Sequence, residues 1–206
     1  MIRDIKIPME KRAFFNEKAL AVANGVDAGS VTREDVAMCF SGKGNLNDLD
    51  RKDYSNFHQY RAARNDLDQG QHFTPYVICA YVAGCIQPDI HDTLADFCCG
   101  KASIFEFFPT QQNCYGCDID VNTVRIGKYL YPDAKIENKD IRYLETDTKY
   151  DICFLNAPFG QSWNEGLSED VCLKKSIAAL KPGGILAIIV PASYLSDPYM
   201  DSNRVK

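Results

Sequence analysis

The ten residues DICFLNAPFG (Asp151–Gly160) join a short apolar run to a polar loop. An apolar run of four to eight residues that ends at a turn is typical of a strand buried in a parallel sheet. This run leads directly into Asn156, Ala157, Pro158 and Phe159. Because proline fixes its own φ angle and has no N–H, the turn leaves backbone carbonyl oxygens that can face a ligand. The stretch therefore predicts a ligand-binding loop at the carboxyl end of a sheet strand.

From Gly70 onward, short apolar runs alternate with helical stretches on both sides of this loop. The alternation predicts an α/β fold with a mostly parallel, doubly wound sheet. Five strands are predicted near Thr93–Phe97, Asn113–Asp118, Ala134–Asn138, Tyr150–Leu155 and Gly184–Val190. Helices are predicted near 75–87, 102–108, 121–130 and 166–180. Lys181–Gly184 is predicted as the turn between the last helix and the last strand.

The chain divides by composition at about residue 68. Residues 1–68 are polar and rich in helix formers, so they are predicted to form a helical N-terminal extension. Residues 69–206 are predicted to form the α/β core, and we expect this core to be incomplete at its C-terminal end.

Composition narrows the class of protein. A hydrophobic fraction of 46% with 25% charged residues is typical of a soluble globular domain. No apolar run approaches the length of a membrane span, and the N-terminus lacks the apolar stretch of a signal peptide, so we expect a cytoplasmic protein without a membrane partner. The net charge of −5, without a lysine–arginine cluster, does not indicate a self-sufficient surface for nucleic acid.

The cysteines favour reduced thiols. Their number is nine, which is odd, and no secretory signal accompanies them. Cys114 and Cys117 have the spacing of half a metal site, but residues three apart on a strand point to opposite faces. We therefore predict core packing for both and no metal site.

Acidic residues lie at or just beyond the carboxyl ends of three of the predicted strands. Asp96 is followed by Gly100, where the backbone can approach a ligand, although such turns serve nicotinamide, flavin and S-adenosylmethionine binders alike. Asp118 is predicted to accept hydrogen bonds from the hydroxyls of a ribose, and Asp120 to cap the next helix. Asp140 fits two roles equally well, an acceptor for the amine of an adenine ring and a turn aspartate.

The loop after the fourth strand points to a different chemistry from that of a dehydrogenase. The side-chain oxygen of Asn156 and an adjacent backbone carbonyl form two acceptors for an NH₂ group. The ring of Phe159 can stack on a heteroaromatic plane. Together they predict a site for a planar group that carries an amine.

Two motifs carry a resemblance to a known family. Asn156–Phe159 resembles the Asn-Pro-Pro-Phe/Tyr signature of amino-methyltransferases, and Phe73-Thr74-Pro75 in the stretch Gln71–Pro75 resembles an element before the first strand of adenine-specific DNA methylases. Over residues 70 to about 196, the chain resembles the N6-adenine group that includes the methylation subunits of type I restriction–modification systems. The resemblance implies a Rossmann-like S-adenosylmethionine-dependent methyltransferase fold and methyl transfer to the N6 amine of adenine in DNA.

The resemblance also implies a role for each matching residue. Those assigned to S-adenosylmethionine are Phe73, Thr74 and Pro75 at the methionine portion, Asp96 and Gly100 in the loop beneath it, Asp118 at the ribose, and Ile119, Asp140 and Ile141 around the adenine. Asn156 and the Ala157 carbonyl would accept from the target amine, Pro158 would stiffen the loop, and Phe159 would stack on the flipped base. Neither a metal nor a covalent intermediate is implied.

The sequence departs from the family pattern in three ways. Ala102 and Ser103 replace glycines of the cofactor loop, Ala157 replaces the first proline, and the chain stops at Asp201–Lys206, before the two further strands and the recognition region that the family supplies. We therefore expect DNA to be held by a missing or separate recognition region or subunit. Three alternatives stay open: a methyltransferase for a protein glutamine or an RNA base, a catalytically silent cofactor-binding remnant, and a nicotinamide enzyme.

Overall fold

The computed structural model describes residues 9–26, 31–38, 51–68 and 73–195. The helices are α1 (Met9–Ala23), α2 (Arg33–Met38), α3 (Phe57–Asp68), α4 (Tyr76–Ile86), α5 (Val121–Leu130) and α6 (Ser168–Ala178). The strands are β1 (Leu94–Asp96), β2 (Cys114–Asp118), β3 (Lys135–Asn138), β4 (Tyr150–Leu155), β5 (Ser162–Trp163), β6 (Gly166–Leu167) and β7 (Leu180–Ile188). Gln71, His72 and residues 196–206 lie outside the described ranges.

Five strands form one parallel sheet in the order β3-β2-β1-β4-β7, and β5 pairs with β6 in a separate antiparallel hairpin. The prediction of a doubly wound α/β fold is confirmed. The direction of winding reverses between β1 and β4, whose carboxyl ends therefore flank the crevice where such folds bind ligands.

Side chains of the buried strands alternate between the two faces of the sheet, so one strand contributes apolar groups to both. Ile152 and Phe154 of β4 join the larger apolar cluster, which contains residues of α1, α2, α4 and α5. Cys153 and Leu155 join a second cluster, which contains Cys172 of α6. Because successive side chains of a strand point to opposite faces, one apolar run packs against both helical layers.

Cys114 and Cys117 lie on opposite faces of β2, as predicted. The Cys114 side chain belongs to the larger cluster and the Cys117 side chain to the second. Burial raises the pKa of both thiols to about 12, so both stay protonated at neutral pH. Their environment is that of core packing.

Two predicted elements differ from the structure. The segment predicted as a helix near 102–108 is a short 3₁₀ helix, Ser103–Phe107. The last strand begins at Leu180, so the predicted turn Lys181–Gly184 lies within β7. Pairing of Tyr150 with Leu180 is followed by a register shift before Ile152 pairs with Ile185. Parallel pairing with β4 is present both before and after the proline and glycines of that stretch. These residues therefore form an irregularity inside the strand.

Helices α1 and α2 pack on the α/β core. Ala19, Val36 and Ala37 are fully buried in the larger cluster. The Arg33 guanidinium donates to the Leu130 carbonyl at the end of α5 at 3.2 Å and forms a 2.9 Å ion pair with Glu106. A cation at a helix carboxyl terminus satisfies its orphan carbonyls and interacts favourably with its dipole. Within the described residues, no helix has the length and apolar character needed to cross a bilayer.

Candidate active site

The loop after β4 meets the segment before α4 through one side-chain hydrogen bond. The Asn156 amide nitrogen donates to Thr74 Oγ1 at 3.0 Å, across 82 positions of sequence. Asn156 and Thr74 are both partly exposed, and Ala157 is buried beneath them in the second apolar cluster. Because the NH₂ of Asn156 is the donor in this bond, the same amide keeps its oxygen as an acceptor. Two of the motifs identified in the sequence thus form one surface at the carboxyl edge of the sheet.

Phe73 joins this surface to the loop after β1. Its ring is buried, and a Cβ atom built on Gly100 would lie 2.9 Å from the Phe73 Cδ1 atom. Gly100 also has a φ of +54°, in the left-handed region. Glycine is required here on both counts, because only a residue without Cβ avoids the ring and adopts this φ at no cost.

The loop makes a second left-handed turn at Ala102, with φ 61° and ψ 38°. A non-glycine residue in this region costs about 1–2 kcal/mol of backbone energy. The position that glycine occupies in the resembled family therefore keeps a glycine-like conformation here. The Ala102 methyl group is fully buried in the larger cluster, and that burial offsets part of the cost.

Two buried carboxylates lie beneath the loop. Asp118 accepts from the Gly100 N–H at 2.8 Å through one oxygen and from the Asp120 N–H at 2.9 Å through the other. Asp96 accepts from the Cys98 N–H at 3.2 Å. Burial raises the pKa of Asp96 to about 8, with a further increase from the charge of Asp118, and burial also raises the pKa of Asp118. A cation bound nearby would stabilise the charged forms of both carboxylates, so the pair favours a cationic ligand over an anionic one.

Asp120 caps α5, as the sequence predicted. Its carboxylate accepts from the backbone N–H groups of Asn122 at 2.8 Å and Thr123 at 3.3 Å. These bonds satisfy two of the donors left unpaired at a helix start. Asp120 therefore has a structural role as the N-cap of α5, next to Asp118.

Asp140 has the turn role in this structure. It accepts from the Arg142 backbone N–H at 2.9 Å, and its carboxylate accepts three side-chain bonds from the Arg142 guanidinium, of 2.6, 2.9 and 3.1 Å. The ion pair with Arg142 holds the pKa of Asp140 below its ordinary value. The Arg142 guanidinium also lies 5.4 Å from the Trp163 ring centre, which joins this corner to the β5–β6 hairpin. An adenine amine at Asp140 would share the carboxylate with Arg142.

The other residues predicted around a cofactor differ in exposure. Ile119 is 66% exposed at the rim beyond β2, whereas Ile141 is buried in the second cluster. A face for an aromatic ring is therefore provided more directly by Ile119. Pro75 and Phe159 are partly exposed, at the segment before α4 and in the loop after β4.

Lys101 lies next to Gly100 but is directed to the N-terminal helices. Its side chain is 1% exposed, its ammonium donates to the Ala37 carbonyl oxygen of α2, and it lies 4.8 Å from the Tyr76 ring centre. Such partners stabilise a buried cation. The lysine thus ties the glycine loop to α2.

Sequence reasoning missed two residues that hold the loop after β4. Ser168 and Glu169, in the first turn of α6, are both buried and bond to residues 158–161. In the sequence they resemble an ordinary polar and acidic helix start, since acidic residues are common there for their interaction with the helix dipole. Nothing in that pattern distinguishes a buried glutamate from an exposed one.

Comparison with solved structures places the fold in a class. The chain has the Rossmann-like fold of S-adenosylmethionine-dependent methyltransferases. A protein of Listeria monocytogenes assigned to class I of these enzymes aligns over 91% of this chain and 68% of its own, with a TM-score of 0.58 and 15% sequence identity.

A second solved structure is a modification subunit assigned to a type I restriction enzyme of Vibrio vulnificus YJ016. It aligns over 80% of this chain with a TM-score of 0.51 and 13% identity. The aligned part is 43% of that subunit, so this chain spans less than half of its length. No protein-family model matches the sequence, and no curated protein matches it.

Proposed function

We propose that this chain is an S-adenosylmethionine-dependent methyltransferase core that acts on the N6 amine of adenine in DNA. The observation that carries the proposal is the hydrogen bond from Asn156 to Thr74, because it unites the predicted cofactor element and the predicted amine clamp. The fold agrees with this chemistry, and the crevice between β1 and β4 is where such folds bind ligands.

The charge of the crevice fits this cofactor better than a dinucleotide. S-adenosylmethionine carries a sulfonium, an ammonium and a carboxylate and is positive overall, whereas a nicotinamide dinucleotide brings an anionic pyrophosphate. Asp96 and Asp118 are buried, and the charge of Asp118 raises the pKa of Asp96. A bound cation would stabilise the charged forms of both carboxylates, whereas a pyrophosphate would raise their pKa values further.

Residues around the crevice can hold each part of the cofactor. Asp118 would accept from the ribose hydroxyls, and Ile119 would cover the adenine face, with Asp140 at its amine. Gly100 brings backbone close to the ligand, and Phe73, Thr74 and Pro75 would contact the methionine portion. When bound, S-adenosylmethionine supplies a sulfonium methyl group that leaves as the C–S bond breaks and a new C–N bond forms.

The chain contributes orientation to the transfer. The Asn156 oxygen and the Ala157 carbonyl would each accept one N–H of the target amine, which turns the nitrogen lone pair toward the methyl group. As the amine becomes tetrahedral and positive, both acceptors stabilise the developing charge and then the departing proton. Thr74 holds the Asn156 amide in the required orientation, because its hydroxyl occupies the NH₂ side. Phe159 would stack on the base.

DNA is the proposed source of the adenine because of the combined motifs. The Phe73-Thr74-Pro75 element resembles that of DNA methylases, and one similar structure is described as a modification subunit of a restriction enzyme. The net charge of −5 leaves phosphate binding to a further region or a separate subunit, as the sequence predicts. A target adenine has to leave the duplex, since its amine is otherwise paired.

Transfer of a tritiated methyl group tests the proposal. We expect label in adenine-containing DNA with the wild-type chain, supplemented if required by a candidate recognition subunit. Asn156→Ala should abolish the label while binding of S-adenosylhomocysteine persists. Thr74→Ser, which keeps the hydroxyl that accepts from Asn156, is the matched control and should retain transfer.

The alternatives give different results in the same assay. Label in RNA or in a glutamine-containing protein, but not in DNA, would identify that molecule as the substrate and would still support the role of Asn156 and Ala157 as amine acceptors. Cofactor binding without transfer to any of the three substrates would identify a silent cofactor-binding remnant.

A further inference from the structure

We propose that Ser168 and Glu169 act as positioning residues for residues 156–161, which we call the catalytic loop, and so control the rate of methyl transfer rather than cofactor affinity. The inference rests on the proposed function. Its structural basis is a set of hydrogen bonds between the start of α6 and the loop that carries the amine clamp.

Glu169 holds the middle of the loop. Its side chain is buried at 5% exposure, and one carboxylate oxygen accepts from the Gly160 N–H at 2.7 Å. A buried carboxylate is costly unless it is hydrogen-bonded, and a bond from a backbone N–H to a carboxylate is among the strong ones. Gly160 has a φ of +68°, so the loop turns sharply at the atom that Glu169 binds.

Ser168 holds the loop on both sides of that turn. Its fully buried hydroxyl donates to the Pro158 carbonyl oxygen at 2.8 Å and accepts from the Gln161 N–H at 3.2 Å. Its own N–H donates to the Gln161 carbonyl at 2.8 Å. The hydroxyl also lies 3.0 Å from the second carboxylate oxygen of Glu169, so the two side chains form one network.

The bonds fix a short piece of chain next to the clamp. Pro158 follows directly after the Ala157 carbonyl, one of the two proposed amine acceptors, and precedes the stacking ring of Phe159. The other acceptor, Asn156, is oriented from the opposite side by Thr74. With one end held by Thr74 and the other by α6, both acceptors and the ring keep a fixed spacing.

Apart from Thr74, which bonds Asn156 from the segment before α4, the proposed cofactor-binding groups lie on elements other than α6 and the catalytic loop. Gly100 and Asp118 are held by bonds within the loops after β1 and β2, which include neither Ser168 nor Glu169. Loss of the α6 network should therefore displace the clamp and leave cofactor affinity almost unchanged. Displacement of a reacting group by about 1 Å can reduce a rate about 100-fold.

The test uses the full chain and four variants: Glu169→Ala, Glu169→Gln, Ser168→Ala and, as control, Glu165→Ala on the exposed hairpin turn. Calorimetry with S-adenosylhomocysteine measures cofactor affinity. Single-turnover transfer to an adenine-containing oligodeoxynucleotide measures the rate. Hydrogen exchange of the peptide spanning residues 157–163 measures whether the Gly160 and Gln161 amides are protected.

We expect Glu169→Ala to lower the rate about 100-fold, with cofactor affinity within about twofold of wild type. Exchange of the loop amides should become faster. Glu169→Gln keeps an oxygen that accepts from Gly160 and should restore the rate to within about threefold. Ser168→Ala should give an intermediate loss, and Glu165→Ala should resemble wild type. Because Ser168→Ala removes a single hydroxyl, it tests the network even if Glu169→Ala does not fold.

Three results would overturn the inference. The first two are wild-type loop amides that exchange without protection, and Glu169→Ala with unchanged exchange and rate. The third is an equal fall of rate, cofactor affinity and melting temperature in Glu169→Ala without rescue by Glu169→Gln. That pattern would indicate a general role in stability. If the wild-type chain transfers no methyl group, the proposed function fails; slower exchange in wild type than in Glu169→Ala would still support the network.

Discussion

Replacement of Gly100 by alanine tests how closely the Phe73 ring and the loop after β1 pack against each other. The new methyl group has two separate effects, since the residue has a φ of +54° and the ideal Cβ position lies 2.9 Å from Phe73 Cδ1. Gly25 provides a control for the first effect alone. Its φ is +76°, and no atom lies within 4 Å of an added Cβ.

The expected magnitudes differ for the two positions. An alanine at positive φ destabilises the folded state by about 1–2 kcal/mol. Because alanine has less conformational freedom than glycine in the unfolded chain, about 0.5–1 kcal/mol of this destabilisation is offset. Gly25→Ala should therefore destabilise the fold by about 1 kcal/mol. Gly100→Ala adds an overpacking term of about 1–3 kcal/mol, because Phe73 is only 6% exposed and its ring has little room to move. The total is about 2–4 kcal/mol.

Urea unfolding followed by circular dichroism measures these differences. A double-mutant cycle with Phe73→Ala isolates the ring contribution, because Gly100→Ala should cost only about 1 kcal/mol once the ring is absent. Equal costs of Gly100→Ala and Gly25→Ala, or an unchanged cost of Gly100→Ala in the Phe73→Ala background, would contradict a clash between the added methyl group and the Phe73 ring.

Two further predictions concern the buried groups of the same loop. Ala102→Gly should change the free energy of unfolding by less than about 1 kcal/mol, since relief of the left-handed backbone offsets the lost methyl burial and the added chain entropy. Ala83→Gly, at a buried helical position, should cost about 2 kcal/mol; a similar loss at both positions would contradict the strain argument. Asp96 has a pKa of about 8 in the folded chain against an ordinary value of 3.8, so the folded state binds more protons between these values and stability falls as pH rises. Asp96→Asn should flatten the pH dependence of unfolding between about pH 5 and pH 8. An unchanged slope would show that Asp96 titrates normally.

The sequence predicted the middle of the sheet well because β1, β2 and β4 are buried along almost their whole length. The run at β2 and the run that follows Asp151 in β4 are mostly apolar and end at acidic or amide residues, so their positions could be inferred from the residue pattern alone. The last strand was less predictable, since Pro182 and Gly183 are typical of a turn and lie instead in a strand irregularity. Local turn propensity was overridden by pairing with β4.

The site could be predicted only in part. The pattern identified Asn156 and Thr74 individually, whereas their hydrogen bond depends on how the chain folds over 82 positions. The engagement of Asp140 by Arg142 could be suspected from their proximity, but the buried environment of Glu169 could not. An acidic residue at a helix start has the same sequence pattern whether it faces water or the underside of a loop.

Calorimetric titration with S-adenosylhomocysteine, of the wild-type chain and of Asp118→Asn, tests whether the crevice between β1 and β4 binds the cofactor. We expect saturable binding to wild type, and weaker binding to Asp118→Asn because the amide loses the negative charge and one of the acceptors beneath Gly100. Equal melting temperatures of the two proteins would assign the difference to the ligand site. Absence of binding to the wild-type chain, or equal affinity of the two proteins, would contradict a cofactor site in the crevice between β1 and β4.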